Sequence, residues 1–476
     1  MSNNRPFSQV FPISVLVSAT IWLAGLGLVL SLDDPRLRFL QYAAGMALAG
    51  LGWLGLIRAA SRGHFGVGRP TDTPAQHRAM FLVVLLGLGI RIVALTFTPA
   101  FSEDVFRYVY EGRAVLYYGW TFPFAHAPAD APQFGVDPTL LDHAWLRINH
   151  PELSTIYPPF SQVTFVVAAA IAESIGDHHL LWLKALLVVA DLVVWVLLTL
   201  ALRAQRRPAA EAFVWALCPL VILEVAREGH ADSLSAIGLS LGIWGFVVAL
   251  PYVGYAGYAL AAVAKLNGLF ALPAAVRTVR RGLPVALIIC SFVLLPYLFS
   301  GGSAGGGISA YAQRWRAGDG AFSVILFISE YLLGGDWVRI DLWWPLPDFT
   351  VTRHQLARAL TGAAYLAWMF MVLNHSAPVR RIPARAGLLL LGLLLLSPTL
   401  HPWYVLWLLP FAAAAPRFSG RYAVIVLALL VPALHHPGWL ELVDGEWREI
   451  GWVRAMVHLP VWIVLTASLA TARRTR

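Results

Sequence analysis

The sequence predicts an all-α membrane protein: a polytopic transmembrane helical bundle of about 12 to 14 spans, with a long periplasmic first loop that carries amphipathic helices. Of its 476 residues, 58% are hydrophobic and only 13% are charged, whereas soluble domains carry about 25% charged residues. Apolar runs of roughly 15–24 residues recur along the whole chain, close to the length that crosses a hydrocarbon core. The 19 tryptophans and 15 tyrosines suit a protein with two membrane–water interfaces.

The apolar runs show no internal repeat and predict a single membrane domain over residues 1–476. The first run begins near Phe11 and lacks a small-residue cleavage site, so we interpret it as a span and not as a signal peptide. The predicted spans lie near 11–31, 38–58, 79–98, 179–202, 212–226, 233–250, 284–300, 357–374, 386–400, 403–415, 422–436 and 455–471.

The arginines predict the orientation, because short cytoplasmic loops of membrane proteins are enriched in Lys and Arg. The net charge of +9 is therefore explained by topology in a bacterial inner membrane, and no nucleic-acid partner is expected. The two cysteines, Cys218 and Cys290, allow no disulfide framework and no thiolate metal site. With the N-terminus inside, the segments predicted to be cytoplasmic are 58–78, 203–207, 277–281, 380–385, 417–421 and 473–476.

Two apolar segments do not fit this alternation of loops. Counting 158–176 as a full span would place the arginines of 203–207 outside, so we predict that it lies along or re-enters the periplasmic surface. The segment 252–276 has the polar sequence Lys265–Leu266–Asn267–Gly268 at its centre. We predict two half-helices that meet there near the outer side, because non-helical backbone at membrane depth is tolerated only where it lines a cavity.

The segment 99–157 is predicted to be a long periplasmic loop, and loops of this length are usually functional or disordered. Its many aromatic residues argue against disorder. Ser102 is a candidate N-cap for a helix with an acidic first turn, which is expected to rest on the membrane. The alternative is a helix whose ion pairs only solvate one face. The candidate site residues share that face at i, i+3, i+4 and i+7 spacing: Asp104, Arg107, Tyr108 and Glu111.

A second cluster of ionisable residues lies at 224–232, between two apolar helices whose outer ends meet. Ionisable groups at membrane depth are costly and usually mark a ligand or a proton relay. Arg227 is a candidate phosphate ligand, since a guanidinium binds phosphate as a fork. His230 and Asp232 are candidate substrate contacts beside the start of the next helix. The alternative is a periplasmic turn with internal salt bridges.

Further candidates stand alone in apolar surroundings. Lys265 is a candidate partner for an anionic ligand, unless it extends toward the interface as a snorkelling lysine. His401 is framed by prolines and is followed by Trp403 and Tyr404; these residues predict a sugar or pyrophosphate contact, with an interfacial aromatic belt as the alternative. Tyr157 precedes two prolines and either breaks a helix or shapes a cavity wall.

Taken in chain order, these motifs resemble the GT-C superfamily of integral-membrane glycosyltransferases, and specifically the bacterial polyprenyl-phosphate-mannose-dependent mannosyltransferases. The resemblance covers residues 99–410, and 411–476 add C-terminal spans. The turn 119–124 departs from the family pattern, because threonine and phenylalanine precede its proline where the family has asparagine. The motifs that carry the resemblance are 103–108 with 111–113, 119–124 with 127–128, 157–159, 229–232, 264–265 and 401–404.

The resemblance implies an enzyme that transfers a mannose-like hexose from a polyprenyl phosphate to a hydroxyl on the periplasmic face, with inversion. The first-loop aspartate of the family is the catalytic base, which corresponds to Asp104, and Glu103 is the other carboxylate available to the acceptor. Phosphate is a competent leaving group when cations hold its charge. The candidate clamps are Arg227 and Lys265, followed by Arg107 and Arg113.

The expected partners are a polyprenyl-phosphate sugar, a glycan or lipid acceptor, and membrane lipids. The sequence shows no glycine-rich loop for a nucleotide sugar, which agrees with a lipid-linked donor, and no cofactor is expected. The adjacent histidines of 178–179 and 435–436 lack the geometry of a good metal site, so no metal is expected either. Arg91, inside the third span, is expected to be functional or paired within the bundle.

Two other functions share some of these features. A lipid or polysaccharide transporter or flippase would also have broken helices and buried charges, but usually with internal repeats and a midplane site. A lipid-linked glycan ligase or polymerase would carry its long polar loop late in the chain, whereas this chain carries it early. The residues favour the transferase over both and over a non-catalytic scaffold.

Overall fold

The structure is a computed structural model and describes residues 13–66, 72–176, 178–299, 306–333, 337–340, 349–375 and 377–474. Of the residues that the structure describes, 77% are helical. Within the described residues the strands form one antiparallel pair, β1 (Trp337–Ile340) and β2 (Phe349–Thr352). The predicted all-α class is therefore confirmed.

The first half of the chain begins with the long helices α1 (Ile13–Leu30), α2 (Phe39–Ser61) and α3 (Pro74–Leu95). The first loop contains α4 (Asp104–Tyr118), α5 (Phe122–Ala125), α6 (His143–Leu146) and 3-10 turns at Pro128–Phe134 and Pro138–Leu140. It is followed by α7 (Pro159–Ile175), α8 (His179–Ala204), a 3-10 turn at Ala209–Ala212, α9 (Phe213–Ala216), α10 (Pro219–Ile222) and a π-helical turn at Leu223–Arg227.

The second half continues with α11 (Asp232–Val247), α12 (Pro251–Lys265), α13 (Gly268–Val276), α14 (Leu283–Phe299), α15 (Gly306–Arg314), α16 (Ala321–Leu333) and α17 (Arg353–Leu373). The C-terminal part holds α18 (Ile382–Leu396), α19 (Leu409–Ala414), α20 (Arg421–Leu430), α21 (His436–Asp444) and α22 (Gly451–Arg474). Three further 3-10 turns lie at Val379–Arg381, Pro402–Trp407 and Val431–His435.

Among the described residues, seven helices are long and apolar enough to cross a membrane, or eight if the bent pair Ala209–Ala216 and Pro219–Arg227 is one span. These figures rest on length and composition, and they confirm a multi-pass membrane protein. Some predicted spans are short: the one near 233–250 is the 16-residue α11, and the one near 386–400 is the 15-residue α18. Most residues of α11 are buried, so this helix runs inside the bundle.

Small residues bring two pairs of helices close together. A Cβ atom on Gly25 of α1 would lie 2.2 Å from the backbone nitrogen of Ala49 in α2. A Cβ atom on Gly257 of α12 would lie 2.2 Å from the backbone nitrogen of Gly242 in α11. Such close approach is typical of membrane helix pairs, where van der Waals packing holds the helices together.

Arg91 of α3 is paired inside the bundle, as expected from its position in an apolar helix. Its Nε lies 2.5 Å from Oδ2 of Asp191 in α8, and both side chains are buried. The indole of Trp215 donates to Asp191 Oδ1 at 2.7 Å. Hydrogen bonds to both carboxylate oxygens offset the cost of burying the charges, and the pair joins α3 to α8.

The predicted break in 252–276 is confirmed, because α12 ends at Lys265 and α13 begins at Gly268. Leu266 has a left-handed backbone with φ of +62°, which a helix does not accommodate. Asn267 accepts a 2.6 Å hydrogen bond from Ser235 of α11. A Cβ atom at residue 268 would lie 2.0 Å from the carbonyl oxygen of Tyr258, so glycine is required there.

The helix α7 starts and ends at the same end of the bundle, which supports the prediction that 158–176 does not cross the membrane. Near its start, Ser161 donates to the carbonyl of Ala264 at 2.8 Å, next to the break after α12. Near its end, Glu173 lies 3.8 Å from Arg113 of α4 and 3.6 Å from His179 at the start of α8. The 17-residue helix thus lies along the end of the bundle that carries the first loop.

Candidate active site

The candidate site lies where four chain segments end close together. These are the start of α4, the start of α11, the end of α12 and the residues before the turn Pro402–Trp407. Their polar residues are Asp104, Asp232, Lys265 and His401, all taken from motifs that the sequence indicated. We call this end of the bundle the site end.

Asp104 is the first residue of α4, and its carboxylate is partly buried. The amide of Asn149 donates to its Oδ1 at 3.1 Å. The hydroxyl of Tyr157 lies 3.5 Å from its Oδ2. Ser102, expected to be the N-cap, accepts a hydrogen bond from the Asp104 backbone at 3.2 Å, while Glu103 occupies the cap position. The carboxylate is thus held from two sides at the opening of its helix.

Lys265 is bound to Asp232 and enclosed by two tyrosines. Its Nζ lies 2.8 Å from Asp232 Oδ2, and the rings of Tyr157 and Tyr404 lie 5.7 and 5.6 Å from the ammonium. The other oxygen of Asp232 accepts a 2.7 Å hydrogen bond from the indole of Trp407. Both oxygens of Asp232 are therefore occupied, and its role in this geometry is to position Lys265.

Three aromatic rings form a stack beside this pair. The ring of Trp403 stacks on His230 at 3.8 Å and on His401 at 4.5 Å. Tyr404 contacts the edge of His401, and its hydroxyl forms a hydrogen bond with that of Tyr311. The tryptophan therefore fixes the planes of both imidazoles.

The buried carboxylate of Glu224 contacts one imidazole of this stack and a further histidine outside it. Glu224 Oε2 lies 2.9 Å from Nδ1 of His230, and its Oε1 lies 2.9 Å from Nε2 of His435. His435 stacks in turn on Phe101, just before α4. Neither Glu224 nor His435 was assigned a role from the sequence, because residues 211 positions apart carry no signal of contact.

The charges around Asp104 favour its ionised form. Burial raises the pKa of Asp104, but its neighbours outweigh burial and hold this pKa below the ordinary value. In decreasing order of effect, these neighbours are His230, Asn149, Lys265 and His401. Tyr157 links the carboxylate to the cation, because its hydroxyl lies 3.5 Å from Asp104 and its ring lies 5.7 Å from the ammonium of Lys265.

The two imidazoles of the site differ in protonation. Burial lowers the pKa of His401 to about 4, so its ring is neutral near pH 7. Burial also lowers the pKa of His230, but the ion pair with Glu224 and the carboxylates of Asp104 and Asp232 raise it above the ordinary value. His230 therefore keeps its proton to a higher pH than a free histidine does.

The polar face of α4 is engaged within the protein. Every side chain from Val105 to Val115 is buried, so the expectation that this helix rests on the membrane is wrong. Arg107 donates to the carbonyls of Asn149 and His150 at 2.9 and 2.6 Å. The later part of the first loop folds back over α4, and the guanidinium of Arg107 donates hydrogen bonds to the backbone carbonyls of that part.

Glu111 and Tyr108, predicted to contact substrate, are both enclosed by protein. Glu111 lies 3.5 Å from Arg107 and accepts hydrogen bonds from Thr155 and Gln162 at 2.8 and 2.7 Å. The ring of Tyr108 stacks on Phe165 of α7 at 4.6 Å, and Tyr108 is 0% exposed. In this geometry Glu111 attaches α4 to α7, while Tyr108 packs between Phe165 of α7 and Tyr157 of the candidate site, whose ring lies 4.8 Å away.

Two more predicted residues have partners away from Asp104. Glu103 pairs with Arg147 at 3.3 Å. Arg113 lies 2.5 Å from Asp142 and donates to the carbonyl of Thr139 at 2.8 Å. These contacts hold the first loop together.

Arg227 is not brought together with Lys265. Its guanidinium is buried, lies 3.6 Å from Glu228 and 5.6 Å from the ring of Phe97, and donates to the carbonyl of Val29 at 3.3 Å. Within the described part of the chain, Arg227 and Lys265 share no hydrogen-bond, ion-pair or ring partner. The geometry favours Lys265 over Arg227 as a ligand for an anion.

Glu228, next to Arg227 in the 224–232 cluster, has a structural role. Its Oε2 accepts hydrogen bonds from the backbone nitrogens of Ala100 and Phe101 at 2.9 and 2.8 Å. The first loop is thereby fixed immediately before α4. In the part of the chain that the structure describes, no group of three or more His, Cys, Asp or Glu residues is arranged to hold a metal ion.

Comparison with known proteins gives one family. The family model for the N-terminal domain of alpha-(1->6)-mannopyranosyltransferases matches residues 14–281, more than half of the chain. The alpha-(1->6)-mannopyranosyltransferase B of Corynebacterium glutamicum is 22% identical over 452 residues, which cover 86% of this chain and 71% of that protein. No solved structure matches the chain significantly.

Proposed function

Because the chain belongs to the alpha-(1->6)-mannopyranosyltransferase family, we propose that this membrane glycosyltransferase transfers mannose from a polyprenyl phosphate to a hydroxyl of a glycan or lipid acceptor. The observation that carries the proposal is that Tyr157 contacts both the carboxylate of Asp104 and the ammonium of Lys265, with the stacked imidazoles of His230 and His401 at the same end of the bundle. A glycosyl transfer from a phosphate needs a base for the acceptor and a cation for the leaving group.

In the proposed step, the acceptor oxygen forms a bond to the anomeric carbon of mannose from the side opposite the phosphate. The acceptor proton passes to the Asp104 carboxylate, and the bond between the anomeric carbon and the phosphate oxygen breaks. The phosphate leaves with the bonding electron pair, still attached to its lipid. A single displacement of this kind inverts the configuration at the anomeric carbon.

Asn149 and Tyr157 aim the Asp104 carboxylate, and its lowered pKa keeps it ionised as a base. Lys265 stabilises the charge that develops on the leaving phosphate, and Asp232 together with the two flanking tyrosines holds the ammonium in position. The protonated form of His230 adds a second positive charge to the same space.

We propose that the site end faces the periplasm of a bacterial inner membrane. The arginine-rich loops 203–207, 380–385 and 417–421 adjoin helices whose other ends lie at the site. The positive-inside rule therefore places these loops in the cytoplasm and the site end on the other face of the membrane. A donor with a polyprenyl tail stays in the lipid, which agrees with a site at the ends of membrane helices.

The proposal is tested with purified protein in phosphatidylcholine vesicles that contain synthetic polyprenyl-phosphate mannose, with octyl mannoside as the acceptor. We expect mannosylated product, with an anomeric configuration opposite to that of the donor. A parallel reaction contains GDP-mannose in place of the lipid donor. Transfer from the nucleotide sugar and none from the lipid would refute the proposed donor class, and retention of configuration would refute the single displacement.

A further inference from the structure

A cavity of about 580 Å³ lies at the end of the bundle opposite the site end. The helix α11 begins at Asp232 in the site and ends at Val247, which lines the cavity. The helix α8 ends at Ala204, which also lines the cavity, and α18 runs back from Ile382 toward His401. At 1.5 Å per residue, these helices separate the two places by roughly 20–40 Å.

The lining of this cavity is strongly basic. It contains five arginines, and none of its lining residues, all of which the structure describes, is acidic. The arginines come from three loops that are distant in sequence. A topological signal requires positive charge on one face of the membrane, but it does not require three loops to converge on one cavity. The arginines are Arg207, Arg380, Arg381, Arg417 and Arg421.

Two of the five arginines are already paired. Arg207 and Arg421 share one carboxylate, with nitrogens 2.6 and 2.9 Å from Oε2 of Glu211. The guanidinium groups of Arg380, Arg381 and Arg417 have no hydrogen-bond or ion-pair partner within the described ranges. Arg380 and Arg417 are exposed and Arg381 is half-buried, so all three positive charges are accessible to an anion that enters the cavity.

The backbone of the cavity wall also shows strain. Arg417 has a φ of +51°, in the left-handed region that non-glycine residues seldom adopt. Such conformations persist where the surrounding structure holds them, and they concentrate at functional sites. The neighbouring Pro416 and Phe418 line the cavity beside the arginines, so it combines apolar surface with charge. Its volume lies within the usual range of small-molecule sites, about 300–1,000 Å³.

We propose that this cavity binds a phosphate-bearing anion at the membrane face opposite the candidate active site. Arginine is suited to this ligand because its planar fork matches two phosphate oxygens at once. Two sources share this chemistry: the headgroup of an anionic membrane lipid and a soluble phosphate compound. The inference does not rest on the transferase reaction, since none of its residues belongs to the site end.

The test is a titration of the purified full-length protein in neutral detergent, followed by native mass spectrometry. The probes are phosphatidylglycerol, phosphatidylcholine and inorganic pyrophosphate. The cavity variant is R380Q/R381Q/R417Q. The matched control is R277Q/R280Q/R281Q, which removes the same charge from an exposed basic loop that lies outside the cavity.

We expect the cavity variant to bind the phosphate probe at least about tenfold more weakly than wild type, as loss of charged hydrogen bonds implies, while the control binds normally. This pattern with phosphatidylglycerol identifies a lipid headgroup, and with pyrophosphate a soluble phosphate. Equal binding of every probe by wild type and cavity variant, or equal loss in both triple variants, would overturn the proposal. Equal binding of phosphatidylcholine and phosphatidylglycerol together with no binding of pyrophosphate would overturn it as well. If the triple variant does not fold, the single variants R380Q and R417Q are titrated against R277Q under the same criteria.

Discussion

The ammonium of Lys265 lies 2.8 Å from Oδ2 of Asp232, and this ion pair joins the end of α12 to the first turn of α11. The pair stands directly before the helix break at Leu266 and Asn267, where the chain turns back. Asp232 is buried, whereas the Lys265 side chain is 11% exposed. The cation is therefore held from the protein side and keeps one side available to a ligand.

We expect Asp104→Asn to lower the transfer rate by about 10²–10⁴-fold, the usual contribution of a general base. The amide keeps the shape of the side chain but does not accept the acceptor proton. Donor affinity should change little, because Lys265 remains in place. The measurement is kcat and KM with the lipid donor.

Glu103→Gln is the matched control for this change, since Glu103 adjoins Asp104 but pairs with Arg147 at 3.3 Å. It should retain most of the wild-type rate. Activity that survives Asp104→Asn and disappears in Glu103→Gln would make Glu103 the base. If both variants stay active, the start of α4 is not the catalytic centre.

Lys265 and Arg227 should respond differently to replacement, although the sequence assigns them the same role. Lys265→Gln should weaken donor binding by about 1.5–3 kcal/mol, the usual value of a charged hydrogen bond. Arg227→Gln leaves Glu228 buried without its cation, so we expect a loss of about 3–5 kcal/mol of folding stability and little change in donor affinity. Donor titration and thermal unfolding of both variants measure this contrast. A loss of donor affinity in Arg227→Gln at unchanged stability would restore Arg227 as a phosphate clamp.

The motifs of the site were predictable from sequence because membrane burial makes each polar residue costly and therefore conspicuous. His230, Lys265 and His401 were found in this way, and so was the break after Lys265, whereas Asp104 was found from the helical spacing of polar residues in the first loop. The family was predictable too, since the order of the motifs carries it. Which polar residue faces which was not predictable, because Arg107 and Arg227 form their contacts with segments far away in the chain. Asn149 gave no signal, since a single asparagine in a long loop has no periodicity.

Labelling from outside the cell should distinguish the two ends of the bundle. Glu152 is exposed in the first loop, and Arg417 is exposed at the opposite end. In a Cys290→Ser background, we expect a membrane-impermeant maleimide to label Glu152→Cys in intact cells and to label Arg417→Cys only after lysis. The reverse pattern would place the site end in the cytoplasm and would contradict the proposed orientation.

The pH dependence of transfer should depend on the protonation of His230 and on its ion pair with Glu224. The folded-state pKa of His230 is raised, so its positive charge, and the stability of its ion pair with Glu224, are fully present below the unfolded pKa of about 6.5. Both are lost as the pH rises through the raised pKa. Since the pKa of Asp104 lies below its ordinary value, this carboxylate is ionised across the pH range in which His230 loses its proton, and we expect kcat/KM to fall on the alkaline side of that range.

Glu224→Gln removes the carboxylate that raises the pKa of His230, so the alkaline fall should move to lower pH in this variant. Glu224→Asp keeps the charge and should restore part of the shift. A merely structural role for Glu224 would reduce the rate equally at every pH, because misplacement of Trp403 and His401 does not depend on protonation. Parallel pH profiles for wild type and Glu224→Gln, differing only in height, would therefore rule out the imidazolium of His230 as a contributor to the reaction.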